Sequence, residues 1–200
     1  MKKFGKLTSL LLALVLVFSL SVTAFAAIPP SGSINATVVF YDGDEYLMDW
    51  AVEMTEKNAT TSYEIPTPGP GQYLDSRIIS NANRPSAMDA TLVALDEIGT
   101  PETIGWDYYP VSSTLTEIRG GYLDTIFGYT TETTAYLEPT ENYNGYWEGN
   151  AWLYKVLDAD GNVVVEPGIN DDVYATNIEL EEGMTIVWTY TYDIHEVIYS

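Results

Sequence analysis

His195 is the only histidine in the chain, and cysteine is absent. One imidazole cannot supply the paired ligands of a His-based zinc site, and nothing around it argues a serine–histidine–acid triad. A lone histidine this close to the end of the last strand pattern reads as solvated. Asp158-Ala159-Asp160-Gly161-Asn162, with Glu166 following, has the oxygen density of a calcium loop but not the spacing of an EF-hand. Asp-Gly between two alternating runs is a hairpin signal, so a plain turn is expected there. Asp171-Asp172 and Glu181-Glu182 read as turn acids in the same way. Glycoside hydrolysis needs two carboxylates facing each other across a cleft. Among 29 acidic residues, Glu148 stands out because Tyr146 and Trp147 precede it. The sequence holds no phosphate loop, no Gly-x-Ser-x-Gly elbow and no cysteine nucleophile. These residues point to a protein that binds rather than catalyses, with a small glycosidase built on Glu148 as the least favoured alternative.

Sixteen tyrosines and five tryptophans are the other chemically useful set. Such residues favour strands, where most serve cross-strand packing, and they also make flat surfaces on which ligands stack. Trp106, Tyr108 and Tyr109 lie in one aromatic segment, and Tyr143, Tyr146 and Trp147 lie in a glycine-containing one that reads as a loop. Trp152 and Tyr154 follow on an alternating run. These eight are the candidate ligand contacts; no metal ligands and no catalytic residues are assigned.

The N-terminus bears on where such a protein works. Lys2, Lys3 and Lys6 precede an uncharged apolar run from Leu7 to Val22, and Ala24-Phe25-Ala26 then places small residues at the positions a signal peptidase reads. The run is 16 residues long, short of the roughly 20 needed to span a bilayer. Residues 1–26 are therefore expected to be a cleaved secretory signal, and the product to be released outside the cell. Without cysteine there is neither a lipid anchor nor a disulfide framework. Removing 26 of 200 residues leaves 174, enough for one domain with a real core. Three lysines leave with the signal, so the formal charge moves from −21 to −24, with only Lys57, Arg77, Arg84, Arg119 and Lys155 remaining basic. A surface of that sign repels nucleic acid and anionic membrane.

The elements that must position these residues can be read from periodicity. After a leader at 27–33, Ile34 to Tyr41 alternate, Asp42-Gly43-Asp44-Glu45 turns, and Met48, Trp50, Val52 and Met54 share the face of a second strand. A short strand candidate at 61–65 precedes a proline–glycine stretch. Residues 86–98 form the one clear helix: Ser86 caps it, Asp89 completes a capping box, Met88, Leu92 and Leu95 make its apolar stripe, and Gly99 and Pro101 end it. Pro110 argues against a central strand for the segment from Gly105, and Gly120-Gly121 reads as a break. Trp152-Tyr154-Val156 and Met184-Ile186-Trp188-Tyr190-Tyr192 are the strongest late strands. The expectation is a single α+β domain over 34–195.

The helix 86–98, Gly121-Tyr122-Leu123, the strand Trp152-Leu153-Tyr154-Lys155-Val156 and the closing Glu182-Gly183-Met184-Thr185-Ile186-Val187-Trp188-Thr189-Tyr190 occur in an order that resembles the transcobalamin-like C-terminal domain family. The resemblance covers roughly Ile34 to Tyr192. It implies a β-grasp-like fold, a mostly antiparallel sheet holding one helix, in a secreted or surface-exposed domain. It also implies cobalamin or another corrinoid as ligand against the aromatic segments, with no other cofactor. In the animal carriers of that family the ligand lies between this domain and a helical one, which implies a partner completing the site. The alternative is an adhesive surface protein contacting carbohydrate or another protein.

Overall fold

The chain builds its framework from strands whose apolar residues alternate, then uses one helix to cover them. The computed structural model describes residues 32–55, 64–78, 84–138, 140, 142, 144–165 and 174–197, with only the backbone described at 195 and 197. The signal segment, most of the strand candidate at 61–65, Tyr143, Glu166 and Asp171-Asp172 lie outside these residues.

Strand β1 (Ile34–Asp42) turns at Gly43, whose φ of 56° suits a residue without Cβ, into β2 (Glu45–Met54). Ala36, Val38 and Phe40 of β1 and Val52 and Met54 of β2 are buried on one face. A short β3 (Gln72–Leu74) precedes helix α1 (Ala87–Ile98). The predicted capping box is present: the Asp89 amide donates to Ser86 Oγ at 3.1 Å, and the Ser86 amide donates to Asp89 Oδ2 at 2.7 Å. Gly99 closes the helix in the left-handed region, its amide donating to Asp96. Then come β4 (Thr103–Ser112), β5 (Leu115–Ile126), β6 (Tyr129–Thr130), β7 (Glu132–Leu137), β8 (Gly145–Leu157), β9 (Val163–Val165), a 3₁₀ turn at Ala175–Asn177 and β10 (Thr185–Val197).

These strands make two sheets. Sheet A runs β2-β1-β10-β8-β7, with β9 paired to β8; sheet B runs β3-β5-β4, with β6 paired to β5. The closing strand β10 lies parallel to β1 and antiparallel to β8, and β3 lies parallel to β5. Extended structure takes 59% of the described residues and helix 11%. The α+β, β-grasp-like reading of one sheet holding a helix is therefore corrected: the domain is mostly β, with two mixed sheets in which antiparallel pairing predominates, and one helix.

The physical reason lies between residues 99 and 130. Gly120 and Gly121 do not break the chain but sit inside β5, where the 3₁₀ turn approaches closely. A Cβ on Gly120 would fall 2.4 Å from Tyr174, and the Gly121 amide donates to Thr176 Oγ1. Pro110 is accommodated because β4 is an outer strand of sheet B.

The predicted stripe of α1 is buried, and so are Ala87, Ala90 and Ala94 around it. Those small residues belong to the same core as Leu123 and Ile126 of β5 and Ala175 of the 3₁₀ turn. Trp188 pins the helix to sheet A through its indole N–H, which donates to Thr91 Oγ1 at 2.8 Å. At the other end of the core, Phe127 turns left-handed (φ 52°) ahead of Gly128 and meets Phe40 edge-on at 5.2 Å. That ring contact offsets a backbone cost of about 1–2 kcal/mol.

Sheet B also holds a charged clamp. Asp75 accepts from the Arg77 amide at 2.8 Å and from its guanidinium. Burial pushes this carboxyl up, but the Arg77 hydrogen bonds and charge outweigh it and hold the group below the usual aspartate range. A depressed folded value stabilises the fold above the unfolded pKa, and that contribution is lost as pH falls through the folded one. Asp75→Asn should therefore lower the urea midpoint at neutral pH, and the gap to wild type should close as the pH falls below the usual aspartate range. A gap that persists in acid would show that the clamp acts through shape rather than charge.

Candidate functional site

Strand β10 is longer than its neighbour β1, and past the end of β1 it carries the exposed apolar side chains Tyr192 and Ile194. β1 stops at Asp42, opposite Tyr190, whereas β10 continues to Val197 in register with β8, ending on the pair Val197 and Gly145. β7 flanks the same stretch, pairing Glu132 to Leu137 with Asn150 to Tyr146. The result is a three-stranded arm, β7-β8-β10, projecting past the helix-covered core.

Alternation along these strands is continuous with the core, so the residues on the core side can be named. Ile186, Trp188 and Tyr190 lead to Tyr192 and Ile194; Val156, Tyr154 and Trp152 lead back to Asn150, Glu148 and Tyr146. Leu137 sits opposite Tyr146. Near the core this row is buried. On the arm it emerges: Tyr146 is 40% exposed, Leu137 41%, Tyr192 51% and Ile194 60%. The opposite face carries Trp147, whose indole donates to Thr133 Oγ1 at 2.9 Å, beside the exposed Tyr136.

Carboxylates interleave with these side chains. The Tyr192 phenol donates to Glu148, and that hydrogen bond raises the phenol above its ordinary value. Asn144 donates to Glu196 Oε1 at 2.9 Å. At the root of the arm, Asp42 accepts from the Tyr129 phenol and raises it likewise, while Tyr190 donates to the Thr130 carbonyl at 2.8 Å. Glu132, Glu138, Glu148, Asp193 and Glu196 lie on or beside the arm, and no lysine or arginine occurs among the described residues of 132–138, 144–150 and 191–197. The surface is thus aromatic, apolar and negative together.

Tyr143 lies outside the described residues, and the other seven predicted contacts do not converge. Tyr146 and Trp147 fall on the arm, where the expected glycine loop proves to be the start of β8. Trp106, Tyr108 and Tyr109 belong to β4 in sheet B; Tyr109 is stacked under the Arg119 guanidinium at 3.6 Å, and Tyr108 is 48% exposed. Trp152 and Tyr154 are core residues, 4% and 9% exposed. Trp152 packs against Tyr129 and Tyr190 and donates to the Tyr129 carbonyl, and Tyr154 lies 5.1 Å from Trp188. Burial pushes the Tyr154 phenol far upward, so it stays neutral. Sequence reasoning missed Leu137, Tyr192 and Ile194. A strand pattern running several residues beyond its expected partner was the signal that could have found them.

Asp158 is occupied by its own turn, accepting from the amides of Asp160 and Asn162 at 2.9 and 2.8 Å. Among the described residues, no group of three or more His, Cys, Asp or Glu side chains is placed to hold a metal ion. A shallow cleft of about 240 Å³ beside Asn35, Ala51, Glu53 and Gly183 is smaller than the usual small-molecule site.

The fold and this surface define a mostly β, two-sheet unit with an aromatic, acidic arm. Comparison with family models, curated proteins and solved structures finds no match to this chain. No helix among the described residues is long and apolar enough to cross a membrane.

Proposed function

We propose that the chain works outside the cell as a binding module without catalytic chemistry, and that it meets its ligand on the arm formed by β7, β8 and β10. The observation that carries this reading is the shared face of Leu137, Tyr146, Tyr192 and Ile194, each 40% exposed or more. Contiguous exposed apolar surface rimmed by polar groups marks an interaction site more often than it marks an idle one. Export rests on the signal-like residues 1–26. A corrinoid, the ligand implied by the resemblance, and a neutral glycan, the alternative, would both find aromatic faces here, with Asn150 and the carboxylates at the polar edge. Neither can use Trp152 or Tyr154, which the core has taken. The open shape suits a broad partner, or a ligand that a partner helps to enclose.

Three probes test the reading on the purified chain: cyanocobalamin, a panel of neutral glycans, and polylysine. At least one should bind, and the Tyr192→Ser/Ile194→Ser double variant should weaken that binding about tenfold or more without lowering Tm. Tyr108→Ser, on sheet B, should leave it unchanged. Failure of all three probes at micromolar concentrations, or equal binding to the double variant, would overturn the assignment.

A further inference from the structure

We propose that the edge of β10 beyond Tyr190, where the backbone of Tyr192, Ile194 and Glu196 meets no partner strand among the described residues, accepts an extended cationic segment of another polypeptide as an added strand. This deepens, and rests on, the reading of the arm as the contact surface.

The backbone supplies the first part of the argument. The Met184 carbonyl accepts from Thr37 and the Tyr190 carbonyl accepts from Gly43, so even-numbered residues of β10 turn their backbone polar groups toward β1. Because amides and carbonyls alternate in direction along a strand, Tyr192, Ile194 and Glu196 continue that row beyond the end of β1. Among the described residues no strand pairs with them there. An unpaired row of this kind is a template for strand addition, and proteins ordinarily blunt it with proline, lysine or a bulge. Residues 191–197 contain no proline or lysine, and no register shift interrupts their pairing with β8.

Side chains supply the second part. An added strand would lay alternate residues beside Tyr192 and Ile194 on the apolar face, and the intervening ones beside Asp193 on the other. Apolar residues fit the first row. Cations fit the second, and they also fit beside Glu196, with the faces of Tyr192 and Tyr146 available for cation–π contact. Two of the outer strands, β4 and β2, are less suited. β4 carries Pro110, and exposed β2 presents Asp49, Ala51 and Glu53 while its Trp50 is held by Glu97 at 2.7 Å.

Charge decides between a foreign strand and a second copy. Joining two arms would bring Asp193 and Glu196 of each together within a chain of formal charge −21 before the signal lysines leave. A basic segment meets no such repulsion. The occupant is therefore a partner polypeptide that alternates Lys or Arg with aliphatic residues.

The experiment uses the purified chain and a fluorescent (Lys-Val)₃ peptide, followed by anisotropy. Three comparators accompany it: the same peptide N-methylated at alternate residues, a (Glu-Val)₃ peptide, and the Ile194→Pro variant. The Ile194 amide points to the free edge, so proline there removes an outward donor rather than a rung of the β8 ladder. The (Lys-Val)₃ peptide should bind. N-methylation and Ile194→Pro should each weaken it about tenfold or more, and (Glu-Val)₃ should not bind. The N-methylated peptide serves with unaltered protein, so the result stands even if the proline variant misfolds. Equal binding of the methylated peptide would reduce the contact to charge alone and overturn strand addition. So would an Ile194-dependent homodimer in sedimentation, which would make a second copy the occupant. If (Lys-Val)₃ fails while another probe remains sensitive to the Tyr192/Ile194 double variant, strand addition falls and the arm reading survives. Peptide binding that ignores the double variant sinks the arm reading itself.

Discussion

Replacing Trp188 with alanine should destabilise the fold by about 3–5 kcal/mol, the range for truncating a fully buried aromatic residue. Trp188 is 1% exposed near the start of β10, faces α1, and lies against Tyr154. Its indole N–H is the hydrogen-bonded tie to Thr91, and Thr91 in turn donates to the Ala87 carbonyl. Truncation therefore opens a cavity and also removes the donor to a buried hydroxyl. Against a typical total stability of about 5–15 kcal/mol, that loss would leave a marginal protein. Urea unfolding followed by far-UV circular dichroism checks this, since the fluorescence of the chain changes with its tryptophan content. Trp188→Phe should recover most of the loss by restoring volume, leaving a deficit of about 1–3 kcal/mol for the missing donor. Equal stability of the alanine variant and wild type would mean that α1 is not held on sheet A as described.

The second large effect is expected at Gly149, within the arm. A Cβ there would lie 2.0 Å from the Glu132 carbonyl oxygen, a backbone atom of the paired strand, and 2.9 Å from the Trp147 ring. Neither contact is tolerable, so β7 must move away from β8. Gly149→Ala should cost about 1–3 kcal/mol as an overpacking change, and the amides of Glu132 to Leu137 should lose their protection from hydrogen exchange. Protection in β1 and α1 should persist. Loss of protection throughout the domain would show instead that the arm and core unfold as one unit. Because Leu137 leaves with β7, binding to the arm should weaken as well.

Much of sheet A was legible because its signals are local. The alternation in β1 and the Trp152–Val156 run marks buried faces, in β2 and β10 it does so for Val52, Met54, Ile186 and Trp188 but not for the exposed Trp50 and Tyr192, and Ser86, Asp89 and Gly99 mark both ends of α1. What escaped was non-local. A glycine pair looks the same whether it ends a strand or admits a close neighbour, and Gly120-Gly121 does the second because Tyr174 and Thr176 press on it from more than fifty residues away. Reading that pair as a break hid sheet B and with it the true fold class. The parallel pairing of β1 with β10 joins residues about 150 positions apart, which no window of sequence contains. The candidate site suffered from a different ambiguity. Tyr and Trp on a strand suit a core and a ligand platform equally, so Trp152 and Tyr154 were indistinguishable from Tyr146 until burial separated them. Strand length settled the rest: Tyr192 and Ile194 are exposed only because β10 outruns β1.

Residue-resolved amide hydrogen exchange on the free chain reads out whether β10 carries an open edge beside its exposed apolar face. Slow exchange is expected for Ile186, Trp188 and Tyr190, whose amides face β1, and fast exchange for Tyr192, Ile194 and Glu196, whose amides meet no strand among the described residues. Adding (Lys-Val)₃ should slow those last three selectively. Slow exchange at Tyr192, Ile194 and Glu196 in the free monomer would mean that the edge is already covered and that no added strand can pair there.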